Sequence, residues 1–174
     1  MNQKTFSIPA NWRRPKTSYV NPSQKSFLDK KDEEFFSSLS ELEAEKHDEL
    51  RSRLLRLGGD KVCTTFEEDI DDILQRAEPF KGTKSRIKKG RDCRCHQNAS
   101  YLWQDFPQQY RIATGWALSR DGIWRQHSWV VELLVNWEMS GYHIVETTLR
   151  RLVYYGFVMD SDECAEFARK NAHW

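Results

Sequence analysis

The 174-residue chain lacks several features that mark large classes of proteins. Its apolar runs are far shorter than the roughly 20 residues that cross a bilayer, and residues 1–10 lack the apolar stretch of a secretory signal. Four cysteines are too few for a disulfide scaffold in a chain long enough to form a core. We therefore expect a soluble cytoplasmic protein that is not inserted in a membrane, with reduced cysteines available for reactivity or metal binding.

An excess of one charge is also absent, since 27 Lys and Arg balance 26 Asp and Glu, but these charges are unevenly placed. Residues 32–79 hold 15 acidic and 6 basic residues. Residues 1–31 and residues 80–94 each hold 7 basic residues and 1 acidic residue. The near-neutral total therefore conceals two basic regions with an acidic region between them.

Aromatic residues are plentiful: they make up 13% of the chain, which excludes disorder for most of it. Of the 22 aromatic residues, 14 lie from Tyr101 onward, so we expect the core in that part. Residues 1–28 hold three of the 5 prolines and show no clear periodicity, which is typical of an extended or partly ordered arm. The rest is predicted to be a single domain (29–174) made of a helical cap (29–79), a basic linker (80–94) and a catalytic core (95–174).

Helices are predicted in three places before the strand region. Apolar residues at three- and four-residue steps predict one long or two shorter amphipathic helices between positions 29 and 57. Gly58 and Gly59 end this helical region. Thr65 and Glu68 form a capping-box pattern that predicts another helix start. A further helix is predicted to begin near Cys95 and to end at Pro107.

Segments enriched in β-branched and aromatic residues follow that helix, and they predict strands at 111–119, 124–135, 142–148 and 152–157. Asp121-Gly122 and Ser140-Gly141 are turn signals between them. Asp160, with Glu163 three residues later, predicts the cap of a last helix. This order indicates an α+β fold, with N-terminal helices, a central Cys-bearing helix packed on a mostly antiparallel sheet, and a C-terminal helix.

Three residues in this core have the chemistry of a catalytic triad: Cys95, His127 and Glu146. A thiol needs a neighbouring imidazole to become a thiolate at neutral pH, and the imidazole needs an acceptor on its other nitrogen. A helix N-terminus also lowers a thiol pKa. Helical steps of four and seven from Cys95 reach Ala99 and Leu102 on the predicted buried face, so we favour Cys95 over Cys93 as the nucleophile.

Strand alternation places His127 on the same face as Trp129 and Val131, and it places Glu146 on the same face as Ile144. Polar residues in such rows point to a buried His–Glu pair. The strand register decides whether the two residues meet. A turn between Asn136 and Trp137 would set His127 opposite Glu146, whereas a loop centred near Glu138-Met139 would set it nearer Arg150.

Residues 95–148 also resemble a known family, the transglutaminase-like branch of the papain-like cysteine enzymes. The similar motifs are Cys95 with Ala99 and Leu102, Arg111-Ile-Ala-Thr-Gly-Trp116, His127-Ser-Trp-Val130 and Val145-Glu-Thr-Thr148. The resemblance implies a papain-like fold in which Cys95 is the nucleophile, His127 the base and Glu146 the orienting carboxylate. Glu146 stands where the family usually has Asp, and Thr147 stands where Pro is common.

The resemblance implies a cysteine-dependent amide hydrolase or acyltransferase, that is, a deamidase, a peptidase or a transglutaminase-like enzyme. It would form a thioester from a protein or peptide amide, without a cofactor or a metal. The Cys95 backbone N–H would supply half of an oxyanion hole. Gln97 and Asn98 are candidates for the other half, and Gln126 is the poorest candidate because it points away from His127. Trp116 and Trp129, within the matching motifs, are the candidate substrate-binding residues.

Two other functions remain as alternatives. Cys93, Cys95 and His96, with His127 or Cys63, offer ligands that suit zinc, although their spacing matches no standard zinc motif. A protein that binds nucleic acid or another anionic partner would use the basic linker. The residues that it would use are Lys81, Lys84, Arg86, Lys88, Lys89 and Arg91. The sequence gives no indication of the oligomeric state.

Overall fold

The computed structural model describes residues 6–18, 20–133 and 143–172. Within these ranges it has five α-helices: α1 (Pro22–Ser37), α2 (Glu41–Leu57), α3 (Ile70–Arg76), α4 (Cys95–Asp105) and α5 (Ser161–Asn171). It also has seven strands: β1 (Lys61–Val62), β2 (Glu78–Lys81), β3 (Arg86–Ile87), β4 (Tyr110–Leu118), β5 (Ile123–Glu132), β6 (His143–Glu146) and β7 (Val153–Val158). None of the helices in the described ranges is long and apolar enough to cross a membrane.

The seven strands form one curled sheet in the order β2-β7-β4-β5-β6-β3, with β1 beside β5. The pairs β1–β5 and β3–β6 are parallel, and the other pairs are antiparallel. The α+β prediction with a mostly antiparallel sheet is therefore confirmed. One edge of β5 pairs with β4, and at the other edge β1 pairs with the beginning of β5 and β6 pairs with its end. None of the described strands pairs with residues 125–129 at this second edge.

The main apolar core lies between one face of the sheet and the helices α2 to α5. Trp116, Trp124 and Tyr155 extend from the sheet into this core, where α4 contributes Ala99 and Leu102. Burial of such large side chains is the main source of stability in a domain of this size. The opposite face of the sheet carries a smaller cluster that includes Trp129 and Tyr154.

Most helix boundaries agree with the predicted ones, for identifiable reasons. The predicted helical region is two helices, because the Ser40–Glu43 capping box starts α2 directly after α1. Gly58, with φ +150°, ends α2 as predicted. Asp160 caps α5 in a capping box with Glu163, which confirms that prediction as well.

The predicted capping box at Thr65 and Glu68 is wrong. Helix α3 starts only at Ile70, with Asp69 as its N-cap residue and no side-chain capping hydrogen bond. The reason is tertiary, because the interior holds Glu67 by hydrogen bonds from the indole of Trp116 and the amide of Gln126. This contact keeps the preceding residues out of a helix.

The predicted arm and linker are both attached to the domain. Trp12 packs against the core and donates its indole N–H to the Leu57 carbonyl at 3.0 Å, and α1 begins at Pro22, seven residues before the predicted position 29. The linker contributes part of β2 and all of β3. Both residues of β3 are exposed, so β3 is held by backbone pairing and has no apolar periodicity that a sequence pattern would show.

Candidate active site

Helix α4 sets the position of the proposed nucleophile. Cys95 is its first residue, and Ala99 and Leu102 anchor the helix in the main core. The half-buried Cys95 therefore lies at the helix end where unpaired backbone N–H groups favour an anion. Cys93 lies outside the helix, is exposed and has a positive φ of 58°, which agrees with the preference for Cys95.

The surroundings of the thiol favour its ionised form. Burial raises the pKa of Cys95, but the interaction with His127 and hydrogen bonds from the backbone N–H groups of Ser128 and His96 outweigh it. The pKa of Cys95 is therefore below its ordinary value. Ser128 lies in the part of β5 that has no described strand partner at one edge, so its N–H is free to bind the thiolate.

His127 joins the thiol to a buried carboxylate. Its Nε2 lies 2.9 Å from Oε2 of Glu146, and both side chains are almost fully buried. Because Nε2 is engaged by Glu146, Nδ1 is the ring nitrogen left for Cys95. Burial lowers the pKa of His127, yet Cys95 and Glu146 together raise it above its ordinary value. Both shifts are in the direction that favours a thiolate–imidazolium pair.

Glu146 is held by four hydrogen bonds in all. Its Oε1 accepts from the backbone N–H of Thr148 at 2.7 Å and from the Thr148 hydroxyl at 2.9 Å. Its Oε2 accepts from Tyr154 at 2.8 Å as well as from His127. Burial opposes ionisation, but these donors and the charge of His127 lower the pKa of Glu146 to about 2. The carboxylate is therefore ionised and fixed in orientation.

The observed pairing of β5 with β6 lies between the two predicted registers, of which one set His127 opposite Glu146 and the other set it nearer Arg150. Val130 pairs with Val145, and the same register, continued along β5, sets Thr148 opposite His127. Glu146 is thus a diagonal neighbour of His127, and the longer side chain of Glu relative to Asp provides the reach. The predicted Ser140-Gly141 turn lies outside the described residues.

Aromatic rings and a glycine enclose the imidazole. His127 stacks on Trp129 with 6.3 Å between ring centroids and 17° between planes, and Tyr154 packs at 6.1 Å. Gly156 makes room for this arrangement, because a Cβ there would lie 2.7 Å from the Trp129 ring and 2.1 Å from the Thr114 carbonyl oxygen. Close packing of this kind leaves His127 little freedom to leave Cys95 and Glu146.

The predicted oxyanion residues have different positions. Gln97 is buried, and neither of its amide atoms has a hydrogen-bond partner in the described part of the chain. Asn98 instead bonds the backbone N–H and carbonyl of Arg91, so its role is structural. Gln126 bonds Glu67 on the face of the sheet opposite His127, as the strand alternation predicts. The backbone N–H groups of His96 and Ser128, which hydrogen-bond the thiol, remain as donors at this position.

The two predicted substrate-binding tryptophans are buried behind the site. Trp129 is stacked on His127 and is 0% exposed, and Trp116 is 1% exposed with its indole N–H on Glu67. Neither ring lines an open surface. Trp129 packs against the imidazole of His127. Trp116 donates a hydrogen bond to Glu67, which lies in the wall of a cleft beside the site.

That cleft has a volume of about 480 Å³ and includes His96, the residue after Cys95. Burial, together with the charge of His127, lowers the pKa of His96 to about 4, so its imidazole is neutral. Its Nδ1 lies 2.7 Å from the Ser128 hydroxyl. Six carboxyl groups and a single lysine line the cleft: Glu67, Glu68, Asp69, Asp72, Glu163, Glu166 and Lys170.

The residues of the two alternative functions are arranged differently. Among residues 6–18, 20–133 and 143–172, no three His, Cys, Asp or Glu side chains are placed to hold a metal ion. Of the basic linker residues, Lys88, Lys89 and Arg91 line one groove, whereas Lys81 and Arg86 lie in β2 and β3. Arg86 pairs with Glu132, and Lys81 lies 6.0 Å from the centre of the Trp12 ring.

The sequence analysis missed the residues that complete the site. Thr148 and Tyr154 fix Glu146, Ser128 offers its N–H to the thiol, and Glu67 lies in the wall of the cleft. Thr148 had a readable signal, because a hydroxyl residue two positions after a carboxylate often bonds it locally. Tyr154 and Glu67 had no such signal, since their contacts depend on the sheet order and on a loop.

Comparison with known proteins adds nothing to these observations: no protein-family model, no curated protein and no solved structure matches this chain.

Proposed function

We propose that this protein is a cysteine-dependent amide hydrolase or acyltransferase of the transglutaminase-like kind, in which Cys95, His127 and Glu146 are the catalytic triad. The observation that supports it most is the continuous chain of interactions from a thiol at a helix N-terminus, through a buried imidazole, to a fully hydrogen-bonded carboxylate. A structural core has little reason to bury three ionisable side chains in contact. The motifs of residues 95–148 point to the same activity.

In the first half-reaction, the Cys95 thiolate attacks the carbonyl carbon of an amide and a C–S bond forms. The carbonyl oxygen becomes an oxyanion, which the backbone N–H groups at the start of α4 stabilise. When the intermediate collapses, the C–N bond breaks and the His127 imidazolium gives its proton to the leaving amine or ammonia. The product is a thioester on Cys95.

In the second half-reaction, neutral His127 takes a proton from water or from an amine, which then attacks the thioester carbon. The C–S bond breaks and the sulfur leaves as a thiolate, so the ion pair is restored. Glu146 stays ionised throughout and keeps Nδ1 of His127 aimed at the sulfur. Water as acceptor gives a deamidase or peptidase, and an amine gives a transglutaminase-like enzyme.

The acidic cleft beside His96 bears on the substrate. Arg76 pairs with Asp72 and Glu163, and Arg169 and Lys170 pair with Glu166. Carboxyl groups still outnumber these cations around the cleft, so neutral or basic protein and peptide amides suit it better than acidic ones. The cytoplasmic location expected from the sequence would keep free thiols reduced, which suits a thiolate nucleophile.

The test measures thiol alkylation and amide turnover together. Cys95 is expected to react with iodoacetamide at pH 6–7 faster than exposed Cys93, located by mass spectrometry of the labelled peptides. His127→Ala is expected to remove this advantage, and Cys95→Ala to abolish ammonia or amine release from a glutamine-containing peptide library. Cys93→Ala is the matched control and should retain turnover. Equal labelling of Cys95 and Cys93 in the unmodified protein would refute the proposal.

A further inference from the structure

A second groove lies along α4, and it shares no lining residue with the acidic cleft. It has a volume of about 370 Å³ and lies between the basic linker, α4 and the segment after β6. The proposed catalytic reaction uses none of its residues. Its charge is opposite to that of the cleft, because its linker wall carries Lys88, Lys89 and Arg91, while its single acidic residue is Asp105.

The feature of this groove that points to a ligand is the hydroxyl of Thr147. The Thr147 side chain is 1% exposed, and its Oγ1 has no hydrogen-bond partner in the described part of the chain. Thr147 follows Glu146, so alternation places its side chain on the α4 face of the sheet, where it lines the groove with Leu102. A buried hydroxyl without a partner is unfavourable unless something bonds it.

Two of the three cations are available to a ligand. Arg91 has no ion pair or hydrogen bond from its guanidinium within the described ranges, and Lys89 has only an exposed ion pair with Asp92 at 3.5 Å. Lys88 is partly engaged, with its ammonium 4.5 Å from the centre of the Phe106 ring. Exposed ion pairs are weak, so an incoming anion competes with Asp92 easily.

The linker wall of the groove is held in place before any ligand binds. The Asn98 side chain bonds the backbone of Arg91 at 3.0 and 2.7 Å, and the Gly90 N–H donates to the Thr147 carbonyl at 2.8 Å. Gly90 is needed for this close approach, because a Cβ there would lie 2.5 Å from the Asn98 amide. A rigid wall lowers the entropic cost of binding.

We propose that this groove binds a phosphate group, either as inorganic phosphate or as part of a small phosphorylated molecule. The Thr147 hydroxyl and the Arg91 guanidinium donate to the phosphate oxygens, and Lys89 adds charge. Phosphate suits this set better than a carboxylate, because it has three or more acceptor oxygens and a charge near −2. The half-exposed Tyr101 ring in the same groove offers a flat apolar surface to an aromatic part of the same molecule.

Isothermal titration calorimetry at low ionic strength tests the proposal, with inorganic phosphate, AMP and acetate as probes. Phosphate and AMP are expected to saturate one site with a dissociation constant below about 1 mM, and acetate to bind at least about tenfold more weakly. Tighter binding of AMP than of inorganic phosphate would assign an aromatic ligand to the Tyr101 wall, and equal binding would assign the free phosphate group.

Four variants make the test specific. Arg91→Gln is expected to weaken phosphate binding about tenfold and Thr147→Val about fivefold, whereas Arg13→Gln, in the exposed N-terminal region, leaves it unchanged. Thr147→Val is also expected to keep or raise the melting temperature, since a methyl group replaces an unpaired hydroxyl. Cys95→Ala should bind phosphate normally, so failure of the catalytic proposal would leave this one standing.

The proposal is overturned by the absence of saturable phosphate binding up to about 10 mM. It is also overturned if acetate binds as tightly as phosphate, or if Arg91→Gln and Thr147→Val both bind phosphate like the unmodified protein. An urea-unfolding curve for each variant shows that any loss of binding is measured on folded protein.

Discussion

The carboxylate of Glu146 is the part of the site whose removal has the most defined consequences. In Glu146→Gln the side chain keeps its size but loses its charge and one acceptor atom. Its two oxygens now accept four hydrogen bonds, two each, from His127, Tyr154 and Thr148. The amide oxygen of Gln can keep one pair of donors, and the NH₂ group then faces the other pair, in which a hydroxyl can accept from it but the Thr148 N–H or the His127 imidazolium N–H is left without an acceptor.

The magnitude follows from the pKa and from these donors. A fall in the pKa of Glu146 from 4.5 to about 2 corresponds to about 3 kcal/mol of stabilisation at pH 7. This stabilisation is present above pH 4.5 and is lost as the pH falls toward 2. Each buried donor left unpaired costs about 1–3 kcal/mol. With one donor left unpaired, Glu146→Gln is therefore expected to lower the free energy of unfolding by about 4–6 kcal/mol at pH 7.

The chemical effect is separate from the loss of stability. Without the carboxylate, the pKa of His127 falls and the pKa of Cys95 rises toward its ordinary value, so the thiolate fraction at pH 6–7 decreases. The assay is the pH profile of Cys95 alkylation under native conditions, with urea unfolding in parallel. Glu166→Gln, an exposed carboxylate on α5, is the control. An alkylation midpoint in Glu146→Gln identical to that of the unmodified protein would refute the role of Glu146, and Tyr154→Phe gives a milder variant if Glu146→Gln does not fold.

Three further predictions concern the surroundings of the site. Burial raises the pKa of Glu67 to about 7. The neutral carboxyl therefore makes its whole contribution to the free energy of unfolding below about pH 4.5, and this contribution is lost as the pH rises to 7. In urea unfolding, the free energy of unfolding of Glu67→Gln should therefore rise relative to that of the unmodified protein by up to about 3 kcal/mol between pH 4.5 and pH 7. The variant of an exposed neighbour, Glu68→Gln, should show no such rise. Gly156→Ala should lower the unfolding free energy by about 3 kcal/mol or more and slow Cys95 alkylation, because its Cβ would strike Thr114 and Trp129; normal values for both would contradict the packing described. Asp160→Ala should lower the melting temperature through the loss of about 1 kcal/mol of capping, whereas its exposed neighbour Asp162→Ala should have a smaller effect.

The outcome of each sequence-based prediction depended on how local its physical cause is. The last helix was predicted correctly because the Asp160–Glu163 capping box involves residues three positions apart. The four strands of the core were found within a few residues because alternation and β-branched residues are local signals. The capping box at Thr65 failed because Trp116 and Gln126, about 50 to 60 positions later, bind Glu67.

The sequence by itself determined the fold class, because helical and strand periodicity are enough for it. It also predicted the order of the proposed nucleophile, base and carboxylate and favoured Cys95 over Cys93, from helical phase and the order of residues along the chain. Only the tertiary structure decided that His127 reaches Glu146 diagonally and that Tyr154 and Thr148 hold that carboxylate. It also separated an acidic cleft from a basic groove along α4. Strand register and the meeting of distant charged segments arise from packing, which has no local pattern in the chain.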